Sequence, residues 1–425
     1  MSTIDRIRVI GAAVLVFAAS ASAVSPAGAE EQLWMRFGSQ QASASSVQPF
    51  DHSLAKQWEA NPPKGFPTLS AQNIKALTAA IKHYAGVVER GGWGTLPDGS
   101  MQPGLTGEAV TILRTRLSLS GDLQPGETAD VFGTYDSTVE RGVKRFQASN
   151  GLTPTGIVDK RTLAALNVPA AARLRQLRTN LARLQELAKN KDKRYIVVNI
   201  PAAQIEAVEG DRVVSRHAGV VGKIDRQTPL LSSTIHELNF NPVWHLPPTV
   251  IDKDLIPKAQ DMAKRGQDAL AKYSIDAYGG DGRKLDSSKI NWAGGAARGL
   301  TFRQQPGPEN PLGFVKINFH NSHSVYMHDT PSQTLFGRNF RAASSGCVRI
   351  SGIEQLAAWL MAEQSWTAER VLAMKKSGER LDVRLKKPVP LYFVYITAWA
   401  TEDGVIQFRR DLYNKDGIGP IASAY

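Results

Sequence analysis

The sequence predicts an α+β protein: a helical first half, then a mainly antiparallel β domain. Three observations carry this. As far as Lys189, apolar residues recur every three or four positions, the spacing of one helix face. From Arg194 the period becomes two, in short runs broken by turns such as Glu209-Gly210-Asp211. Finally, 425 residues that are 42% hydrophobic and 21% charged can bury more than one core, so two or three domains are expected.

At the amino end, Arg6 and Arg8 precede an apolar run over 9–19. Small residues follow, with A-x-A sites at Ala21-Ser22-Ala23 and Ala27-Gly28-Ala29. This is the plan of a secretory signal peptide, expected over 1–29, and the run is too short to span a bilayer comfortably. The mature chain is therefore expected in a bacterial periplasm without a transmembrane anchor. Residues 30–100 read as a Gln/Ala/Ser-rich flexible segment and then a helical scaffold. Its amphipathic helix runs through Ile74, Leu77, Ala80, Ile81 and Tyr84 and stops at Gly91-Gly92-Trp93-Gly94.

Residues 101–168 form a small helical unit. A helix over 107–119 turns Val110, Leu113 and Leu117 inward. A second, opened by Tyr135-Asp136, buries Val139, Val143 and Phe146. A turn over 151–156 leads to a third over 159–166, with Leu163 and Leu166 inside. Residues 169–192 read as a connector helix with Leu174, Leu177, Leu181 and Leu184 at helical spacing.

The β domain occupies 193–425. Strands are expected over 195–200, 204–208, 213–221, 233–240, 313–319, 324–328, 388–399 and 405–409. An irregular insertion over about 250–298 carries Tyr273, Tyr278, Trp292 and the glycine pairs Gly279-Gly280 and Gly294-Gly295. A long glycine-punctuated loop beside a catalytic domain reads as a lid. Ser351-x-x-Glu354 reads as a capping box that starts a helix through Ile353, Leu356, Ala357 and Leu360.

Cys347 is the only cysteine. Exported proteins use cysteines in pairs, so an unpaired one is either buried and inert or kept for its reactivity. His328 precedes it by 19 positions. A neighbouring imidazole is the usual means of ionising a thiol at neutral pH, which makes Cys347 and His328 a candidate nucleophile and base. His320 and His323 are rivals for the base; His217, His236 and His245 read as structural. One cysteine and dispersed histidines make no metal-ligand set, and no glycine-rich phosphate loop is present, so neither metal nor cofactor is expected. The net charge of +12 comes from scattered Lys and Arg without a nucleic-acid motif, the pattern of a solvated basic surface.

Ser344-Ser345-Gly346-Cys347-Val348-Arg349, with His328-Asp329-Thr330 upstream, resembles the L,D-transpeptidase catalytic domain of the YkuD family. The likeness extends to the large periplasmic YcbB-like members through Asn241-Pro242-x-Trp244, Arg303-Gln304-Gln305-Pro306-Gly307-Pro308 and Thr397-Ala398-Trp399. The unit over 101–168 resembles the peptidoglycan-binding domain family in Leu113-Arg114-x-Arg116-Leu117, Phe146-Gln147, Gly151-Leu152, Gly156 and Thr162-Leu163-x-x-Leu166-Asn167. Shorter family members carry histidine where this chain has Ser345, which removes a second imidazole from the expected site.

The resemblance implies a cysteine acyltransferase acting on peptidoglycan stem peptides. Cys347 would attack the diaminopimelate–D-alanine bond of a tetrapeptide donor and release D-alanine. The acyl group would then pass to the side-chain amine of a second stem, giving a 3–3 cross-link. His328 would act as base and then acid, with Ser345, Gly346 and Tyr326 placing donors at the oxyanion. Arg349 would bind a stem carboxylate or brace the loop. Trp292 would cover the donor stem from the lid or pack as a core aromatic. Inactivation by carbapenems is expected. Alternatives are an L,D-carboxypeptidase, attachment of an outer-membrane protein to the wall, or a non-catalytic wall-binding scaffold. A papain-like protease fits poorly, because its cysteine precedes its histidine.

Overall fold

The structure, a computed structural model, describes residues 66–123, 133–189, 192–293, 295–401 and 404–417. The signal peptide, the Gln/Ala/Ser-rich stretch, Gly294 and the hairpin tip at Glu402-Asp403 lie outside the described residues. All described residues belong to one unit, Leu33–Tyr425. Among them, no helix is long and apolar enough to cross a membrane.

The first helix, Ala71–Glu89, starts at Ser70, whose side chain accepts from the Asn73 amide. It buries Leu77, Ala80 and Tyr84 against Leu174, Leu177 and Leu184 of the helix Ala170–Leu187. That second helix, expected to be a connector, also packs against Val394, Ile396 and Ala398 of the β domain. Its buried Asn180 donates to Thr397 Oγ1 at 2.8 Å and accepts from the Thr397 amide at 2.9 Å. Gln176 donates to the Arg409 carbonyl at 2.9 Å. Buried amides need such partners, and here they fasten the carboxy-terminal segment.

Between these helices sit Glu108–Ser120, Ser137–Ser149 and Lys160–Leu166. Asp136 and Asp159 cap the last two, accepting from Val139 N at 3.0 Å and Thr162 N at 2.8 Å. The expected inward residues Val110, Leu113, Leu117, Val139, Val143, Phe146, Leu163 and Leu166 form its core. Arg116 lies inside it, 3.7 Å over the Trp93 ring and donating to the Leu166 carbonyl at 3.0 Å. Burial lowers its pKa to about 10.

The β domain has strands β1 (Arg194–Asn199), β2 (Gln204–Glu209), β3 (Arg212–Gly222), β4 (Leu231–Phe240) and β5 (Trp244–His245). There follow β6 (Ile275–Tyr278), β7 (Lys284–Leu285), β8 (Thr301–Gln304), β9 (Val315–Phe319) and β10 (Met327–His328). The last are β11 (Ala342–Ser344), β12 (Val348–Ile350), β13 (Leu381–Val394), β14 (Ala398–Ala400) and β15 (Ile406–Phe408). The main sheet has nine strands in the order β11-β3-β12-β10-β9-β4-β13-β1-β2, and an extra β3–β2 pairing closes the ring. Most pairings are antiparallel, as expected; β1–β13, β10–β12 and β3–β11 are parallel. The parallel contacts arise because the chain leaves the sheet between these strands. Ile196, Val198, Ile205, Leu238, Ile317, Met327, Val348 and Leu391 fill the ring together with the helices Ile353–Leu360 and Ala368–Ser377.

Three expectations change. The insertion is not an irregular loop. β5, β8, β6 and β7 form a separate four-stranded sheet. With a helical run from Pro248 through a π-turn at Ile251–Leu255 to Ala263, they enclose a core of Leu246, Val250, Leu255, Met262, Leu270, Tyr273 and Phe302. Short paired strands satisfied the backbone where loop chemistry had been inferred from glycines. Second, the strand expected over 324–328 is ordered as a strand only at Met327–His328, because Ser324 takes a left-handed φ of 54°. Third, Ser351 does not cap the helix after the cysteine. Gly352 does, at φ 60° and with no side-chain bond, while the Ser351 carbonyl accepts from His217 Nδ1 at 2.9 Å.

Candidate active site

The site lies on one face of the strands β9, β10 and β12. β10 pairs parallel with β12 as Met327↔Val348 and His328↔Arg349. It pairs antiparallel with β9 as His328↔Lys316. Directly paired residues point to one face of a sheet, so Lys316, His328 and Arg349 share a face. Cys347, two residues before Arg349, joins them by the period of two, and so does Tyr326. Val348 N donates to the Tyr326 carbonyl at 3.0 Å, which sets Cys347 beside Tyr326.

Cys347 is half-buried. Burial raises its thiol pKa above the ordinary value; the Tyr326 backbone and hydroxyl, Arg349 and Lys316 act in the opposite direction. The Tyr326 hydroxyl is itself fixed, since Trp244 Nε1 donates to it at 2.7 Å. Its pKa is raised by burial and then by Cys347, so it stays a protonated donor. The Lys316 ammonium lies 4.6 Å from the Tyr326 ring centroid.

His328 is 4% exposed. Burial first, then the Arg349 charge, lowers its pKa to about 3. Its Nδ1 faces the Asp329 carbonyl. A carbonyl only accepts, so Nδ1 carries the proton and Nε2 is the basic nitrogen. The Tyr326 and His328 rings meet edge-on, with centroids 5.8 Å apart. The sulfur's hydrogen-bonding partner is therefore Tyr326, with the imidazole one register step beyond.

Arg349 is 3% exposed, and its Nε and Nη1 are buried without a hydrogen-bond partner. Burial lowers its pKa to about 10. A buried guanidinium without protein acceptors is costly unless an anion joins it.

Ser344 shapes the loop before Cys347. Its hydroxyl donates to the Cys347 carbonyl at 2.5 Å and accepts from Gly346 N at 3.2 Å. The Gly346 carbonyl accepts from Thr228 Oγ1 at 2.8 Å. Gly346 has φ 115°, a conformation that favours glycine. The Gly346 amide is thus engaged within the turn itself. The Ser345 hydroxyl accepts from Arg226 Nη1 at 2.9 Å. Arg226 also grips Asp254 of the insertion at 2.5 and 3.2 Å.

Of the rival histidines, His320 stacks on His236, centroids 4.2 Å apart, and His323 is exposed. His217 is satisfied by Ser351 O and by Ser215 Oγ at 3.0 Å. Trp292 is half-buried in the insertion's own core, stacked on Phe302 at 5.9 Å, which gives it a packing role. Lys316, Trp244, Arg226 and Asp254 were not singled out from the sequence as site residues. Strand alternation alone could have pointed to Lys316; nothing in the sequence pairs Arg226 with Asp254.

Residues 193–384 match the family model of the L,D-transpeptidase catalytic domain, YkuD, and residues 106–166 match a putative peptidoglycan binding domain. A putative L,D-transpeptidase of Haemophilus influenzae is 34% identical over 224 residues, 52% of this chain and 44% of that relative. The chain thus spans under half the length of that relative. Among solved structures, an L,D-transpeptidase from Xylanimonas cellulosilytica is 14% identical with a TM-score of 0.24, covering 70% of this chain and 98% of that one. One from Mycobacterium smegmatis is 14% identical with a TM-score of 0.22, covering 48% and 58%.

Proposed function

We propose that this chain is a periplasmic peptidoglycan L,D-transpeptidase with Cys347 as nucleophile. The observation that carries the reading is one sheet face holding a thiol, a buried neutral imidazole and a buried arginine with two unpartnered nitrogens. In the donor complex, Arg349 and Lys316 would receive a stem carboxylate, Arg349 through its fork. That anion would supply the acceptor the guanidinium lacks.

The resting pair is neutral thiol and neutral imidazole, since burial raises one pKa and lowers the other. The thiol proton therefore moves to His328 Nε2 as the sulfur attacks the diaminopimelate carbonyl. The Tyr326 hydroxyl and the Ser345 and Cys347 amides would donate to the oxyanion. Collapse breaks the C–N bond, and the imidazolium returns its proton to the D-alanine amine. An acceptor amine then attacks the thioester, loses its proton to His328 and releases the thiolate, which is reprotonated. The insertion, rooted at Trp244 against Tyr326, would act as the lid.

The test is intact-protein mass spectrometry with diaminopimelate tetrapeptide muropeptides, with product analysis alongside. A thioester on Cys347 and 3–3 dimers support the reading. Tripeptides with free D-alanine and no dimers would replace it with a hydrolase. Cys347→Ala and His328→Ala should each abolish dimers while keeping the fold; wild-type turnover in either would remove the dyad.

A further inference from the structure

Away from Cys347, a cavity of about 450 Å³ opens between the peptidoglycan-binding-like module and the β domain. The module contributes Asn150 to Pro154 and Arg161; the β domain contributes residues around 200–204, 216–221 and 336–342. Six of its lining residues are arginines: Arg161, Arg216, Arg338, Arg341, Arg409 and Arg410. Among the described residues, no Asp or Glu lines it. Arg216 has a carboxylate partner behind the wall, Glu206 at 3.1 Å. Arg341 is different: its guanidinium donates only to backbone carbonyls, of Gly219 at 3.1 Å, Arg338 at 3.2 Å, Ala202 at 2.9 Å and Ala203 at 3.4 Å. Burial lowers its pKa to about 10. Arg161 and Arg338 are exposed at the rim.

A concavity lined by one sign of charge focuses field and concentrates the opposite charge. The walls are not uniformly polar, since Leu152, Phe336 and Phe340 stand among the arginines. A bare phosphate would be served by a nest of amides. Guanidinium forks beside small apolar faces instead suit a short peptide with carboxylates and alkyl side chains. The volume falls within the range of small-ligand sites, which favour domain junctions.

The junction is built for close approach. Gly151, at φ 71°, brings the module's turn against Arg409, where a Cβ would stand 2.7 Å from Arg409 Cδ. Thr153 N and Oγ1 both donate to Asn339 Oδ1, at 3.0 and 2.6 Å. The loop bearing Asn339 continues through Ala342 into β11, and β11 leads to Cys347.

We propose that this cleft is a second peptidoglycan site, binding a carboxylate-bearing stem peptide apart from the one that reacts at Cys347. The identity of the ligand rests on the wall-enzyme reading above, whereas the preference for an anion rests on Arg341, which has no carboxylate partner, and on the exposed Arg161 and Arg338. The cleft would hold the substrate against the module and the catalytic domain together.

The experiment uses the full chain carrying Cys347→Ala, so that nothing is turned over. The probe is a purified disaccharide tetrapeptide containing diaminopimelate, with hydrogen exchange and calorimetry as readouts. Binding should protect the segments over 151–154 and 336–342. Arg161→Glu with Arg338→Glu should weaken that protection and the corresponding affinity by about tenfold or more, as expected for losing charge-assisted contacts. Arg338→Gln gives a milder form should the double variant fold poorly. Protection confined to the Cys347 loop, affinity unchanged by charge reversal, or equal protection by inorganic phosphate at the same concentration would each overturn the proposal. Cross-linking by the wild type is scored separately. Cleft protection without cross-linking would sink only the transpeptidase reading, and cross-linking without cleft protection would sink only this one.

Discussion

Removing the Asp254 carboxylate should uncouple the insertion from the loop that carries Cys347. Asp254 is fully buried and holds Arg226 Nη1 at 2.5 Å and Nη2 at 3.2 Å. The same Nη1 reaches Ser345 Oγ at 2.9 Å. Asp254→Ala leaves a largely buried guanidinium with only the exposed Asp225 carboxylate, 3.9 Å from its Nε, and breaking a buried pair from one side loses about 3–5 kcal/mol. The Arg226 side chain keeps 13% of its exposure, so the lower end, about 3 kcal/mol, is expected. Asp254 precedes Leu255 in the insertion's core, so the loss should appear first as local opening there, with faster hydrogen exchange over 250–263. Acylation of Cys347 by a carbapenem should slow as the Ser345 turn loses its anchor. The control is the apolar pair Arg226→Met with Asp254→Leu, which should restore stability, because apolar replacement of a buried pair is often neutral or better. It should not restore the acylation rate. Unchanged exchange and rate in Asp254→Ala, or full recovery of rate in the apolar pair, would refute the coupling.

Three further outcomes are expected. In Gly313→Ala, a Cβ would stand 2.2 Å from Asp329 Oδ2 at a residue with φ 60°. The carboxylate that accepts from Phe314 N at 3.1 Å must then move, costing about 2–3 kcal/mol of strain and overpacking, and it carries His328 with it. Denaturant unfolding and acylation rates check this, and an unperturbed rate would free His328 from that carboxylate. In Tyr326→Phe, the thiol loses the hydroxyl that favours its ionised form, so acylation at pH 7 should fall about ten- to a hundredfold. Its pH–rate profile should move to higher pH, and a profile superposing on wild type would count against the contact. Burial lowers His217 from 6.5 to about 4. The native state then binds fewer protons than the unfolded chain between those values, so the stability present above pH 6.5 is lost as the pH falls towards 4, by about 3 kcal/mol. Asp122, raised to about 6 by burial, opposes this, so the measurement is the urea midpoint difference between wild type and His217→Gln at pH 7 and 4.5. A constant difference would refute the assignment.

Which features were legible in the sequence follows from the range of the interactions that fix them. Helices with local signals came out close to their bounds: the apolar face of Val139, Val143 and Phe146 needs no knowledge of the rest of the chain, and Asp136 caps it locally. Ser351 misled because its local pattern also fits a capping box, while the tertiary contact from His217 Nδ1 claims its backbone carbonyl and Gly352 makes the turn. The insertion misled because its glycines were visible but its strand partners, β5 with β8 and β8 with β6, lie up to some sixty residues apart.

The site divides in the same way. Cys347 and His328 stood out by type and motif, and β10–β12 pairing explains why a nineteen-residue gap in sequence becomes adjacent register in space. Lys316 reaches the site only because β9 pairs with β10. Trp244 reaches Tyr326 across 82 positions, and Arg226 reaches Ser345 across 119. These residues decide the electrostatics of the thiol and the stiffness of its loop. The proposed reactive pair can thus be read along the chain, but the groups that set the pair's protonation come from strands and loops that only the closed sheet brings to one face. A variant that keeps Cys347 and His328 and lacks Tyr326 or Asp254 would therefore retain the motif and lose rate, which separates motif from mechanism.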